Sequence, residues 1–98
     1  MTALTLTPVR RRDVHNAVRF DGSSGHARLI IDWVHDAHGG EIGTGHTICI
    51  GGICTIFFPV RSGIDVKVMQ NWWVVQSGPT DFQAYAPWTF PELFEVVE

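Results

Sequence analysis

No stretch of the 98-residue chain approaches the ~20 consecutive apolar residues that a membrane-spanning helix requires. No membrane-spanning helix is therefore expected in this sequence. The polar opening Met1–Thr7 lacks the charged-then-apolar order of a signal peptide, so a soluble intracellular protein is expected. There is no Cys-x-x-Cys pair and no His-x-x-x-His spacing, the usual starting points of a zinc site. Neither Gly39-Gly40 nor Gly51-Gly52 has the lysine and spacing of a phosphate-binding loop. The acid–base grouping Asp32, His35, Asp36 and His38 falls at one helix end as exposed polar residues, with no activated nucleophile beside it. No internal repeat, linker or low-complexity segment interrupts the chain. These absences leave no recognisable catalytic chemistry, and the expectation is a non-enzymatic protein without a cofactor.

What the chain has in plenty is material for a core. The apolar share is 45%, with four Trp and six Phe, which suits one domain over residues 1–98 and excludes a disordered chain. The net charge of −3 says little about partners, but its distribution is uneven. Arg10, Arg11, Arg12 and Arg19 face only Asp13 within the first twenty residues, whereas Asp81, Glu92, Glu95 and Glu98 stand unopposed after Lys67. Attraction between the two ends, or simple solvation, accounts for this. The functional alternative is nucleic-acid binding, with Arg10, Arg11 and Arg12 as a phosphate-binding arm. No aromatic interleaving or nucleic-acid motif accompanies them.

Met1–Val9 reads as a loose leader that frays or lies along an edge. Alternation from Val14 to Phe20 predicts a first strand, and Asp21-Gly22-Ser23-Ser24 stops it and offers a cap for a helix over Gly25–His38. Ala27, Ile30, Ile31, Val34 and Ala37 recur at three- and four-residue steps, so one helix face is buried, and Gly39-Gly40 ends the element. Thr47–Ile50 and Ile53–Phe58 flank Gly51-Gly52, predicting a hairpin in which Cys49 faces Cys54. Ile64–Val68 alternates as a half-buried strand, and Gln70-Asn71 turns the chain. Trp73–Gln83, broken by Ser77-Gly78-Pro79-Thr80-Asp81, predicts a second hairpin. Pro87 or Pro91 can then open a short closing helix.

The expected fold class is α+β: one long helix packed on a mostly antiparallel sheet of four to six strands, with a short C-terminal helix. The predicted core comprises Val18, Phe20, Ile30, Ile31, Val34, Ile50, Phe57, Val66, Val68, Trp73, Val75, Phe82, Phe90 and Phe94. Cys49 and Cys54, with His46, His35, Asp36 and His38, make a zinc-stabilised structural module a further alternative. A disulfide between Cys49 and Cys54 is geometrically allowed if the facing register holds, although a cytosolic setting disfavours it. Reduced cysteines packing as small apolar groups are the preferred reading, with no metal assigned.

Several of these residues resemble a known pattern. Ala17-Val18-Arg19-Phe20-Asp21-Gly22 is similar to the opening strand, Ala-Val-x-(Trp/Phe)-x-Gly, of small accessory proteins of tailed phages and prophages, especially those of actinobacterial hosts. Asn71-Trp72-Trp73-Val74-Val75, then Asp81-Phe82, Pro87-Trp88-Thr89-Phe90 and Phe94-Glu95-Val96-Val97, resembles their Gly-Asp-Trp-Ile-Ile hairpin and closing tail. The likeness runs without a gap from Trp73 to Val97 and is poor through Glu41–Ser62. It implies a phage-encoded protein of the host cytoplasm that binds a host protein and modulates or inhibits it.

Two departures from the pattern direct attention to a surface. Where such proteins carry an acid before the tryptophan this chain has Trp72, and where they carry one after the proline it has Trp88. If Trp73 points to the core, strand alternation turns Trp72 away from it. Trp72 and Trp88, with Tyr85 in the same segment, are thus the candidate partner-binding residues. The expected partner is a host protein, or a second copy of the chain in a homodimer.

Overall fold

In the computed structural model, which describes residues 4–10, 14–40, 43–59 and 65–96, the chain runs β1 (Thr7–Arg10), β2 (Val14–Arg19), α1 (Ser24–Ala37), β3 (His46–Ile50), β4 (Ile53–Phe58), β5 (Val66–Val68), β6 (Trp73–Gly78), β7 (Asp81–Tyr85), α2 (Phe90–Leu93) and β8 (Glu95–Val96). The strands form two sheets, one of five in the order β7-β6-β2-β1-β8 and one of three in the order β3-β4-β5. All the pairings are antiparallel. The class is mixed α+β as expected, but two details differ. The single sheet is divided in two, and the main helix has fourteen residues, about four turns.

The division follows from the turn after β5. Asn71 holds a φ of 71°, a left-handed value that asparagine tolerates better than most residues. Its N–H donates to the Phe20 carbonyl, so the chain leaves the small sheet and joins β2 of the large one. Thr7–Arg10, the end of the expected leader and the residue after it, lies between β2 and β8 in the large sheet. Val9 is fully buried there.

Helix α1 begins as its sequence requires. Ser23 Oγ accepts from the His26 N–H at 3.2 Å, while Asp21 Oδ1 accepts from the Ser23 N–H at 2.8 Å and from its hydroxyl at 2.7 Å. Those bonds favour the charged carboxylate, and the Asp21 carboxyl is held below its ordinary range, chiefly by the Ser23 hydroxyl and then by the Ser23 N–H. Ala27, Ile30, Ile31 and Val34 are the helix's buried stripe.

That stripe lies in the main core with Val18 and Phe20 of β2 and its end, Cys54, Ile56 and Phe58 of β4, Val68, Val74 and Phe82. Phe82 is its aromatic hub: Trp33 meets it edge-on at 5.0 Å, His38 at 5.7 Å and Phe58 edge-on at 6.4 Å. A second, smaller core occupies the opposite face of the large sheet. Val9, Ala17 and Val75 meet Phe90 and Phe94 there, with Trp73, Tyr85 and Leu93 packed around them. Phe90 stacks on Trp73 at 4.1 Å with the rings 6° from parallel. The large sheet is therefore covered on both faces, which is why Val74 and Val75, adjacent in β6, are both buried.

The predicted core needs correction at the hairpin. Ile50 is 79% exposed, and the buried face of β4 consists of Cys54, Ile56 and Phe58, with Phe57 only half-buried. The alternation turns the opposite face inward from the one expected, because Ile50 and Phe57 share the outer face in the observed register. His38, expected to be exposed at the helix end, is buried, and its Nδ1 lies 2.8 Å from the Val34 carbonyl oxygen.

Candidate functional site

The candidate site is a pair of tryptophans whose positions depend on the segments flanking β6 and β7. Trp72 precedes β6 with its backbone fixed at both ends: its carbonyl accepts from the Phe20 N–H at 2.9 Å and its N–H donates to the Met69 carbonyl at 3.1 Å. Trp88 lies in the turn between β7 and α2, where the Thr89 and Phe90 N–H groups both donate to the Ala86 carbonyl. The two indoles meet edge-to-face, with ring centroids 6.3 Å apart and an interplanar angle of 81°. Such a contact holds one ring against the other beyond what area alone provides.

Their environments are unequal. Trp72 is half-buried and packs against the main core, while Trp88 is 71% exposed. Alternation separates Trp72 from Trp73 as expected, but because both sheet faces are covered, each indole has apolar material to rest on. Trp72 is thus the support of the pair and Trp88 its accessible part. Tyr85 is not gathered with them. It sits opposite Trp73 in the β6–β7 register, packs edge-on to Phe94 at 5.1 Å and donates its hydroxyl to Gln83 Oε1 at 2.7 Å.

The other candidate residues are dispersed. Arg11 and Arg12 lie outside the described residues; the backbone of Arg10 ends β1, opposite Val14 and Glu95. Cys49 and Cys54 face each other as expected, but they form a disulfide rather than two thiols. A close non-hydrogen-bonded pair, here with Cα atoms 4.0 Å apart, is the arrangement that permits the bridge. Sulfurs bonded to each other are not free to join the histidines, and among the described residues no three His, Cys, Asp or Glu side chains gather as a metal-binding group. A shallow cleft of about 340 Å³ has Ser24, Arg28 and His46 in its walls, and none of these three is hydrogen-bonded to another.

Comparison with protein-family models, with curated proteins and with solved structures finds no match to the chain. What the fold and the site define is a class: a small two-sheet α+β domain with one exposed tryptophan, Trp88, resting edge-to-face on a half-buried one, Trp72. No described helix is long and apolar enough to cross a membrane.

Proposed function

We propose that the chain is a non-enzymatic binding module that docks on a protein partner through Trp88, backed by Trp72. The observation that carries this reading is the 71% exposure of Trp88 on a ring held edge-to-face against Trp72, whose own backbone is bonded at both ends. Leaving so large an apolar ring in water is unfavourable, and tryptophan is among the residues most enriched at interface hot spots. A pre-positioned ring also loses little freedom on docking. The resemblance of both chain ends to small accessory proteins of tailed phages supplies the kind of partner: a host protein in the host cytoplasm, whose activity the module alters.

The test is capture from actinobacterial host lysate, with wild type and Trp88→Ala compared side by side. Loss of a hot-spot ring should weaken binding by at least about 2 kcal/mol, roughly thirty-fold, while the variant keeps the wild-type circular dichroism. Retention of no protein by wild type, or equal retention by both, would sink the proposal.

A further inference from the structure

The hairpin of β3 and β4 presents an apolar outer face away from α1. Ile48, Ile50 and Ile53 are 52%, 79% and 50% exposed, and the register places Ile50 beside Ile53 and His46 beside Phe57, whose rings stack at 5.3 Å. Strand β3 is also an edge: β4 lies on one side and no described strand on the other. Edge strands are usually blunted by charge, proline or a bulge. His46-Thr47-Ile48-Cys49-Ile50 has no Lys, Arg, Asp, Glu or Pro, and its pairing with β4 runs without a register shift.

The register also fixes which backbone groups are free. Next to a two-residue turn the flanking residues are the hydrogen-bonded pair, so Ile50 bonds Ile53, and alternation makes Ile48 and His46 the next residues of β3 that bond β4. Thr47 and Cys49 then direct their N–H and C=O groups to the open edge. No hydrogen bond outside the hairpin uses these groups among the described residues.

We propose that β3 is the contact through which two copies of this chain pair, antiparallel, about a two-fold axis at Ile48. In that register Ile48 meets Ile48 of the partner subunit as the close non-hydrogen-bonded pair. Thr47 exchanges both backbone bonds with the partner subunit's Cys49, and Cys49 does so with the partner subunit's Thr47, giving four bonds in all. The two three-stranded sheets become one of six strands. A second copy fits because the free groups are placed symmetrically about Ile48, so the edge is its own complement, as an isologous contact requires. Charge does not oppose it, since neither strand brings a charged Lys, Arg, Asp or Glu to the other. Five paired residues bury less than the ~800 Å² per partner of a standard interface, so the dimer is expected to dissociate on dilution. The proposal is independent of the role given to Trp88.

Sedimentation equilibrium of the full chain from micromolar to millimolar concentration tests it. The weight-average mass should rise from 10.9 kDa toward twice that value. Thr47→Pro removes an outward N–H without touching the bonds to β4, and Ile48→Lys sets two ammonium groups against each other at the axis. Both variants should stay monomeric throughout. If either fails to fold, amide exchange on wild type decides instead: the Thr47 and Cys49 amides should slow as concentration rises, and rates independent of concentration would overturn the proposal. A wild type that is monomeric at the highest concentration overturns it too, leaving the edge to an extended segment of another protein. So does a dimer that both β3 variants retain, above all one that Trp88→Ala abolishes.

Discussion

Replacement of Phe90 by alanine is the most direct probe of the second core. Helix α2 has four residues, Phe90–Leu93, far too few to be stable alone. It stays in place because Phe90, 4% exposed, and Phe94, 7% exposed, are seated on the sheet. The Phe90 ring lies 4.1 Å from Trp73 and 5.2 Å from Phe94, so its loss removes the middle of a three-ring stack and uncovers Val75 and Ala17. A buried Phe→Ala change costs about 3–5 kcal/mol, a large part of the ~5–15 kcal/mol by which a domain is stable. At about 4–8 °C per kcal/mol for this size, the melting temperature should fall by at least ~12 °C. Urea denaturation followed by tryptophan fluorescence and by far-ultraviolet circular dichroism measures the loss, and the near-ultraviolet signal of Trp73 should collapse with it. A cost below about 1 kcal/mol, the scale of an exposed site, would show that α2 does not cover the sheet and would refute the two-core architecture.

Trp88→Ala should lose only the edge-to-face contact with Trp72, about 0.5–1.5 kcal/mol, whereas Trp72→Asp, which sets a carboxylate against the main core, should cost more than Trp88→Asp in the same melts. Joint replacement of Cys49 and Cys54 by serine should destabilise the fold by about 2 kcal/mol, the loop-closure value for so short a ring, and a thiol reductant should then have no further effect on melting. A reductant that leaves the wild type unchanged would contradict the bridge. The Asp21 carboxyl is held below its ordinary value of 3.8, so its contribution is present above that value and disappears as pH falls through the lower folded one. Asp21→Asn should accordingly flatten the acid limb of stability against pH, and an unchanged limb would discount the Ser23 bonds.

Local chemistry was legible wherever one residue type dictates one geometry. Gly51-Gly52 take the left-handed angles of the hairpin turn, Ser23 caps α1, and the stripe from Ala27 to Val34 is buried. What could not be read was which sheet face meets which neighbour, because that depends on contacts between distant segments. In β4 one alternating set, Cys54-Ile56-Phe58, is apolar, and the other, Ile53-Thr55-Phe57, has only Thr55 as a polar member, so hydrophobicity alone could not orient the strand. Near Trp72 and Trp73 the difficulty was different: alternation was right, but its usual corollary, that the outward residue meets water, fails when both faces are covered. The juxtaposition of Trp72 with Trp88 depends on where the β7–α2 turn returns, and no spacing in the sequence encodes that. The facing cysteines allowed a disulfide, and the expectation of thiols came from the expected cytosolic setting, not from the hairpin geometry.

The position of β1 bears on how the chain reaches this structure in time. Pairs such as β3–β4 and β6–β7 join neighbours in sequence and need close only short loops, a microsecond event for a hairpin. Strand β1, however, is flanked by β2 and by β8, so Val9 pairs with Val96, and β2 must wait for β6. The large sheet therefore cannot be completed until segments from opposite ends of the described chain have met, and such non-local closure places folding in the millisecond-to-second range of β-rich domains. Until the β8 segment arrives, a folding chain can hold the hairpins β1–β2, β3–β4 and β6–β7 and the helix α1, with β1 still unpaired on its β8 side.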